Sequence, residues 1–464
     1  MEESKFKNPL LINPVGDFTG GLMAAIIALP LCLAFGVASG LGAAAGLYGA
    51  IACGFFAALL GGTPGQCSGP TGPMTVIAAA IYSSNPGRPE LVFAATIAGG
   101  LLQMLMGYLK AGQLISYMPY PVISGFMTGI GTIIVCIEIN PIFGLPASGS
   151  VIGSLNALLT SHQSINGNAL VLSVVTLLVI YMLPFLSRKL PASLIALMGV
   201  TFISHNLHWD VPTIGDIPSV LPLPRIPGIS LNDIHLVMQN GLTLAFLGAI
   251  DSLLTSVVLD KVTGRRHDSD RELFGQGVGN LASGFVGGLP GAGATMRSMV
   301  NVKSGGTTVI SGALHSAILL LVLIFFSKVA GEIPLAALAA ILLTVGLNIM
   351  DWRVLRSLRK TPRGDVFVMI TVLALTIFVD LIVAVLVGVA LASVLFVKQL
   401  TDARVSSISD LETLEELREM TNHIPEAVRK STYSYELNGP LFFGEAKNLS
   451  ESVDKLPGAR YVIL

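Results

Sequence analysis

The sequence predicts an all-α polytopic membrane protein: two inverted repeats of seven transmembrane spans, with two half-helices meeting near the bilayer midplane. Three observations lead there. The chain of 464 residues is 52% hydrophobic and only 12% charged, where soluble domains carry about 25% charged residues. Residues 46–65 (GLYGAIACGFFAALLGGTPG) align without a gap with residues 272–291 (ELFGQGVGNLASGFVGGLPG), so one pattern occurs twice. The basic residues then divide by side. With the N-terminus inside, Lys5, Lys7, Lys110, Arg188, Lys189, Lys261, Arg265, Arg266, Arg271, Arg353, Arg356, Arg359, Lys360 and Arg363 fall in cytoplasmic segments, and only Arg88 and Arg225 fall outside. That bias is the positive-inside rule, and it makes the second repeat enter the membrane from the opposite side to the first.

In chain order, residues 1–16 are a polar cytoplasmic segment without the apolar stretch of a signal peptide. The first repeat, 17–205, holds apolar runs near 17–40, 44–60, 71–84, 90–109, 118–139, 168–187 and 190–205. A span needs about twenty such residues. Residues 150–162 are only moderately apolar and read as an interfacial segment. An extracytoplasmic loop, 206–238, leads to the second repeat, 239–399, with runs near 239–260, 272–288, 295–303, 308–328, 331–349, 364–380 and 382–399. The runs after Thr71 and Thr295 are too short or broken to cross as ordinary helices, and Asp380 marks the turn between the last two runs. Residues 400–431 form a charged, helix-prone cytoplasmic linker. From 432 the pattern alternates like a strand, turns at Gly439-Pro440, and ends at Tyr-Val-Ile-Leu in what reads as another strand. Residues 432–464 therefore read as the truncated start of a cytosolic α/β domain.

The two breaks carry the functional expectation. Each copy ends at Gly-Gly-x-Pro-Gly and restarts at Thr71 or Thr295, both suited to cap a helix N-terminus. Paired Gly/Pro-interrupted segments in corresponding halves of a membrane protein point to a transporter's binding site. Inverted symmetry turns the two half-helix N-termini toward one another, and their free N–H groups and positive dipole ends suit a small anion. The bland reading is that the glycines serve tight helix packing or a kink.

Asp251 lies mid-span, where an ionisable residue is a functional hypothesis by default. Thr255 is one turn further on the same face. With carbonyls from 291–294 they could form an oxygen cage for Na⁺, a hard cation. A structural aspartate bonded to a neighbouring helix, and a proton carrier, are the other readings. Arg297 either holds the anion or pairs with Asp251 or Glu138. Glu138 and Lys303 sit nearer span ends, where snorkelling favours a structural role. His315 reads as packed, and Cys32, Cys53, Cys67 and Cys136 as small buried hydrophobes. No catalytic residue, nucleophile–base constellation, P-loop or metal motif stands out, so neither an enzyme nor ATP-driven transport is expected.

Pro30, Gly-Leu-Tyr-Gly at 46–49, Gln66-Cys-Ser-Gly-Pro-Thr71, the acid at 251, Arg297-Ser-Met-Val-Asn301 and Asn438-Gly-Pro-Leu-Phe-Phe443 together resemble the SulP anion transporters. The resemblance covers essentially the whole chain and is strongest to sodium-dependent bicarbonate transporters. It implies a seven-plus-seven membrane domain followed by a STAS domain, and a multi-pass protein of the plasma (inner) membrane with both termini cytoplasmic. It implies an anion site at Ser68, Gly69, Thr71, Ala294, Thr295 and Arg297, and a sodium site at Asp251, Thr255, Gly293 and Thr295, with Na⁺ as coupling ion and no other cofactor. It further implies alternating access, with a core moving against a gate domain, and a homodimer through the complete STAS domain. Relatives often have glutamate where Asp251 stands, and the STAS portion here is incomplete. The partners expected are bicarbonate, Na⁺ and the lipid bilayer, with no nucleic acid. Rival readings are a sulfate or other anion carrier, proton-coupled or exchanging, a nucleobase permease, which the STAS-like strand disfavours, and a non-transporting anion-binding sensor.

Overall fold

The computed structural model describes residues 13–115, 118–147, 151–160, 165–187, 190–220, 222–358, 360–379, 381–409, 432–434 and 461–463. Helix α1 (Pro14–Ala38) starts where Asn13 accepts a hydrogen bond from Gly16 N and Pro14 fills the first turn, at no cost in lost N–H donors. Asp17, in the same turn, is buried and accepts from Thr307 N (2.8 Å), Thr308 N (3.1 Å) and Thr308 Oγ1 (2.6 Å). Helix α2 (Ala43–Leu60) ends at the Gly61-Gly62 break, and a short strand β1 (Ser68–Pro70) leads into the half-helix α3 (Gly72–Ser84). The first half continues through α4 (Pro89–Tyr108), a single turn α5 (Gly112–Ile115), α6 (Tyr120–Ile142), α7 (Val151–Thr160), α8 (Gly167–Leu186) and α9 (Ala192–Asn206).

The second half repeats the order. Helices α10 (Ile234–Thr263) and α11 (Ser269–Phe285) precede strand β2 (Gly291–Gly293) and the half-helix α12 (Thr295–Lys303). Then come α13 (Val309–Gly331), α14 (Leu335–Ile349), a short α15 (Trp352–Ser357), α16 (Arg363–Phe378) and α17 (Leu381–Ser409). The expected runs correspond to these helices to within a few residues at most ends, and the segment near 150–162 is the ten-residue α7. Among the described residues seven helices are long and apolar enough to cross a membrane unaided. Phe185 and Leu186 on α8 and Phe325 on α13 are exposed, as a lipid-facing surface requires.

The packing obeys the repeat. Helix α4 lies against α11 and α10, and their equivalents α13, α2 and α1 pack in the same way. Likewise α16 packs on α6 as α8 packs on α14. Exchanging the halves maps each of these contacts onto another, as a pseudo-two-fold axis demands. The axis runs through an antiparallel ribbon of β1 and β2, which pairs Ser68 with Gly293, Gly69 with Ala292 and Pro70 with Gly291. Helices α1–α4 and α10–α13 group around the ribbon, while α6, α8, α14 and α16 form a second group. Contacts between the groups run through α1 on α14 and α9, and α3 on α6.

The chain divides into two compact units between Gly388 and Val389. In the second unit β3 (Thr432–Ser434) pairs in parallel with β4 (Tyr461–Ile463), so the final Tyr-Val-Ile is a strand as its alternation indicated. A parallel pair requires a crossover connection, which suits an α/β domain. Lys5, Lys7, Arg188, Lys189, Arg359, Asp380 and the 438–443 motif lie outside the described residues.

Candidate functional site

The ribbon makes the site. Because β1 and β2 are antiparallel, α3 and α12 leave it at opposite ends, and both N-termini point back toward its centre. Three-residue strands span only about 7 Å at the usual rise per residue. The first N–H groups of each helix have no intrahelical acceptor. Pro73, the second residue of α3, contributes no donor at all, so α12 offers more free N–H groups than α3. Thr71 is the N-cap of α3, as expected, but its side chain makes no capping bond. Thr295 is not an N-cap. Ala294 holds that position, and Thr295 is the first helical residue. Its hydroxyl is drawn aside by Thr255, which lies 2.7 Å away.

Asp251 and Thr255 project from one face of α10 toward β2. Thr255 Oγ1 donates to Gly293 O at 2.9 Å and shares a hydrogen with Thr295 Oγ1, while Ser252 Oγ accepts from Gly293 N at 3.0 Å. The structure thus brings Thr255, Gly293 and Thr295 into direct contact, with Asp251 one turn away. Asp251 is buried, and its Oδ2 has no hydrogen-bond partner. Thr71 Oγ1 and Thr75 Oγ1 are also buried without a partner. Orphaned buried oxygens are costly in a protein interior, and two of these belong to the N-cap and the first turn of α3. Carboxylate, hydroxyl and carbonyl oxygens are the donors a hard cation takes, so this set fits Na⁺.

Arg297 is 1% exposed. It pairs with neither Asp251 nor Glu138. Its Nη2 donates to Pro70 O at 2.7 Å and its Nη1 to Cys32 Sγ at 3.6 Å, while Nε is unpartnered. The guanidinium therefore braces β1 from the second half and places positive charge beside the ribbon. Gly69 has φ +146°, and a Cβ there would lie 2.9 Å from Arg297 Nη1 and 3.1 Å from Ala50 Cα. Only glycine fits that position. Ser68 and Ala294 are tied into the same frame, through Gln276 Nε2 to Ser68 Oγ at 2.5 Å and Ala294 N to Cys67 O at 3.0 Å.

Several buried polar residues at the breaks have no role assigned from the sequence, although Gln66 and Asn301 lie within the motifs of the family resemblance. Asn280 clamps Gly291 from both sides, accepting its N–H at 2.7 Å and donating to its carbonyl at 2.9 Å. Asn301 Nδ2 donates to Gly65 O at 2.8 Å. Glu272, Gln66 and Gln276 form a connected group below the ribbon. The signal that could have marked Glu272 is an acid at the first position of the second repeat copy, opposite Gly46. Glu138 differs from expectation: it is 4% exposed and enclosed within α6, not snorkelling. Lys303 is exposed at the end of α12. His315 is fully buried between α13 and α2, as expected for a packed residue. One arrangement was not foreseen. At the α10–α11 turn Asp260 Oδ2 lies 2.7 Å from His267 Nδ1, and His267 Nε2 lies 2.9 Å from Ser269 Oγ. This row ties the C-terminus of α10 to the first residue of α11.

Comparison with known proteins shows the family. The sulfate permease family model matches residues 15–372. The bicarbonate transporter BicA of Picosynechococcus sp. is 40% identical over 454 residues, covering 94% of this chain and 80% of the relative. The putative sulfate transporter YvdB of Bacillus subtilis is 31% identical over 457 residues, covering 97% and 84%. Among solved structures, the transmembrane domain of a cyanobacterial bicarbonate transporter, BicA, superposes with a TM-score of 0.75 at 43% identity, covering 80% of this chain and 96% of that one.

Proposed function

The chain belongs to the sulfate permease family of membrane anion transporters, and on that premise we propose that it couples entry of Na⁺ to uptake of bicarbonate. The observation that carries the proposal is the pairing of two elements. One is the gap between opposed half-helix N-termini. The other is the oxygen cluster of Asp251, Thr255, Gly293 and Thr295 at its edge, with Asp251 Oδ2 orphaned. The similarity to bicarbonate transporters supports the choice of anion.

In this reading Na⁺ is held by the Asp251 carboxylate, the hydroxyls of Thr255 and Thr295 and the carbonyl of Gly293. Bicarbonate is held by the free N–H groups of α3 and α12, by Ser68, Gly69, Thr71 and Ala294, and by the field of Arg297. Sodium neutralises Asp251, so the remaining positive potential of the helix ends and Arg297 favours an anion. Joint occupancy lowers the charge that must cross the low-dielectric interior. The helices around the ribbon then move as a core against the group of α6 and α14, whose Ile134 and Ile349 side chains close on Gly72 at the mouth of α3. In this reading both termini lie in the cytoplasm, and residues 432–464 belong to a STAS domain through which two copies pair.

The test is uptake into proteoliposomes of labelled bicarbonate and labelled sulfate, with and without an inward Na⁺ gradient. Concentrative bicarbonate uptake that requires the gradient is expected. The likeness to a putative sulfate transporter supports a second reading. Sulfate uptake indifferent to sodium would establish that reading and overturn the first.

A further inference from the structure

We propose that Glu272 is a positioning residue that sets the geometry of both binding segments at once, through two glutamine arms. The inference rests on the ligand assignment above, because it concerns how those ligands are held. Glu272 is 1% exposed, in the first turn of α11, and among the described residues no cation lies within salt-bridge distance of it. Its charge is met by three donors instead: Gly62 N at 2.9 Å on Oε2, and Gln66 Nε2 at 2.7 Å and Gln276 Nε2 at 2.8 Å on Oε1.

The first arm reaches the cation cluster. The Gln66 amide packs on Gly293 so closely that any Cβ there would collide with it. Gln66 Oε1 accepts from Ser256 Oγ at 3.1 Å, and Ser256 Oγ also bonds Ser252 O at 3.0 Å. Ser252 Oγ holds Gly293 N, which leaves the Gly293 carbonyl turned to Thr255. The second arm reaches the anion segment, where Gln276 Nε2 donates to Ser68 Oγ. Ser68 and Gly293 are themselves register partners in the ribbon. One carboxylate thus holds both strands from beneath and touches neither proposed ion.

An ionised acid suits the position because it accepts from every side and donates to none. A glutamine at 272 keeps one acceptor oxygen, so its NH₂ must face either Gly62 N or both glutamine arms together, and in neither orientation are all three donors met. The feature belongs to one half only, since Gly46 stands opposite Glu272 in the repeat.

The test compares the full chain with Glu272→Gln and with the transposed pair Gln66→Glu/Glu272→Gln, which restores one carboxylate and one amide in the reverse order. Half-saturation for Na⁺, half-saturation for bicarbonate and maximal uptake rate are measured on protein shown to be monodisperse. Glu272→Gln is expected to raise both half-saturations about tenfold together, about 1.4 kcal/mol each, with maximal rate largely kept. The transposed pair is expected to recover the sodium shift but not the bicarbonate shift, because the amide at 272, turned to the carboxylate at 66, then also faces Gln276 Nε2. For Glu272→Gln a shift in only one half-saturation or in neither overturns the proposal, as does a folded transposed variant that does not recover the sodium half-saturation. If wild-type uptake proves indifferent to sodium, the coupling reading fails by itself. The bicarbonate shift of Glu272→Gln, retained in the transposed pair, then decides the positioning role, and its absence overturns it.

Discussion

Replacing Thr255 by valine removes one oxygen from the cation cluster and changes little else. The side chain is fully buried, valine has nearly its shape, and no charge is altered. What is lost is the donor to Gly293 O at 2.9 Å and the partner of Thr295 Oγ1 at 2.7 Å. Thr295 is half-buried and can turn to another partner, so most of the cost falls on the fully buried Gly293 carbonyl. Leaving such a group unsatisfied costs about 1–3 kcal/mol of stability in the sodium-free protein. In the Na⁺-bound state the variant lacks one oxygen ligand to a charged group, a contact worth about 1.5–3 kcal/mol. Loss of that contact corresponds to a rise in sodium half-saturation of about 10- to 150-fold, at 1.4 kcal/mol per factor of ten. The assay is initial-rate bicarbonate uptake in proteoliposomes across a sodium titration, with protein folding checked by thermal melting in detergent. Sodium half-saturation within about twofold of wild type would refute the assignment of Thr255 as a ligand.

Asp251→Ala is expected to abolish sodium-dependent uptake while the protein still inserts and folds; bicarbonate transport with unchanged sodium dependence would show that the coupling ion binds elsewhere. Gly69→Ala forces a side chain into a φ of +146° against Arg297 and Ala50. It should lower thermal stability by about 1–3 kcal/mol and weaken anion binding, and a melting curve identical to wild type would disprove the close approach. Asp351, at the N-cap of α15, is pushed up by burial, but hydrogen bonds from Tyr120 Oη (2.6 Å), Ser124 Oγ (2.8 Å) and the backbone outweigh this and hold its carboxyl below the ordinary value of 3.8. Its contribution to stability is therefore present above pH 3.8 and lost as pH falls below it. The melting temperatures of wild type and Asp351→Asn should converge in that acid range, and a gap that widens there would contradict the linkage.

Much of the membrane architecture was legible from the chain alone. Apolar runs, the repeated Gly-Gly-x-Pro-Gly breaks and the lopsided basic residues are local signals, and each follows from solvation of a segment in lipid. The oxygen cluster proposed to hold the cation was half legible, because Asp251 and Thr255 are one helical turn apart and an acid in an apolar run is conspicuous. The role of Arg297 was open between an anion ligand and a partner for Asp251 or Glu138. Its actual bond to Pro70 O depends on how the two halves meet. The capping role expected of Thr295 failed for a similar reason: Thr255, forty residues earlier, competes for its hydroxyl.

The sequence by itself determined that the chain crosses the membrane in two related halves and that each half is interrupted where backbone donors are exposed. Hydrophobicity, glycine and proline act on the nearest few residues, so their effects can be read in order. Only the tertiary structure decided that the two interruptions pair as an antiparallel ribbon, and that Glu272, Gln66 and Gln276 lie beneath it. The Gln66–Glu272 and Gln276–Ser68 bonds join residues 206 and 208 positions apart, and a hydrogen bond depends on distances within a few tenths of an ångström. Such closeness in space leaves no periodicity along the chain.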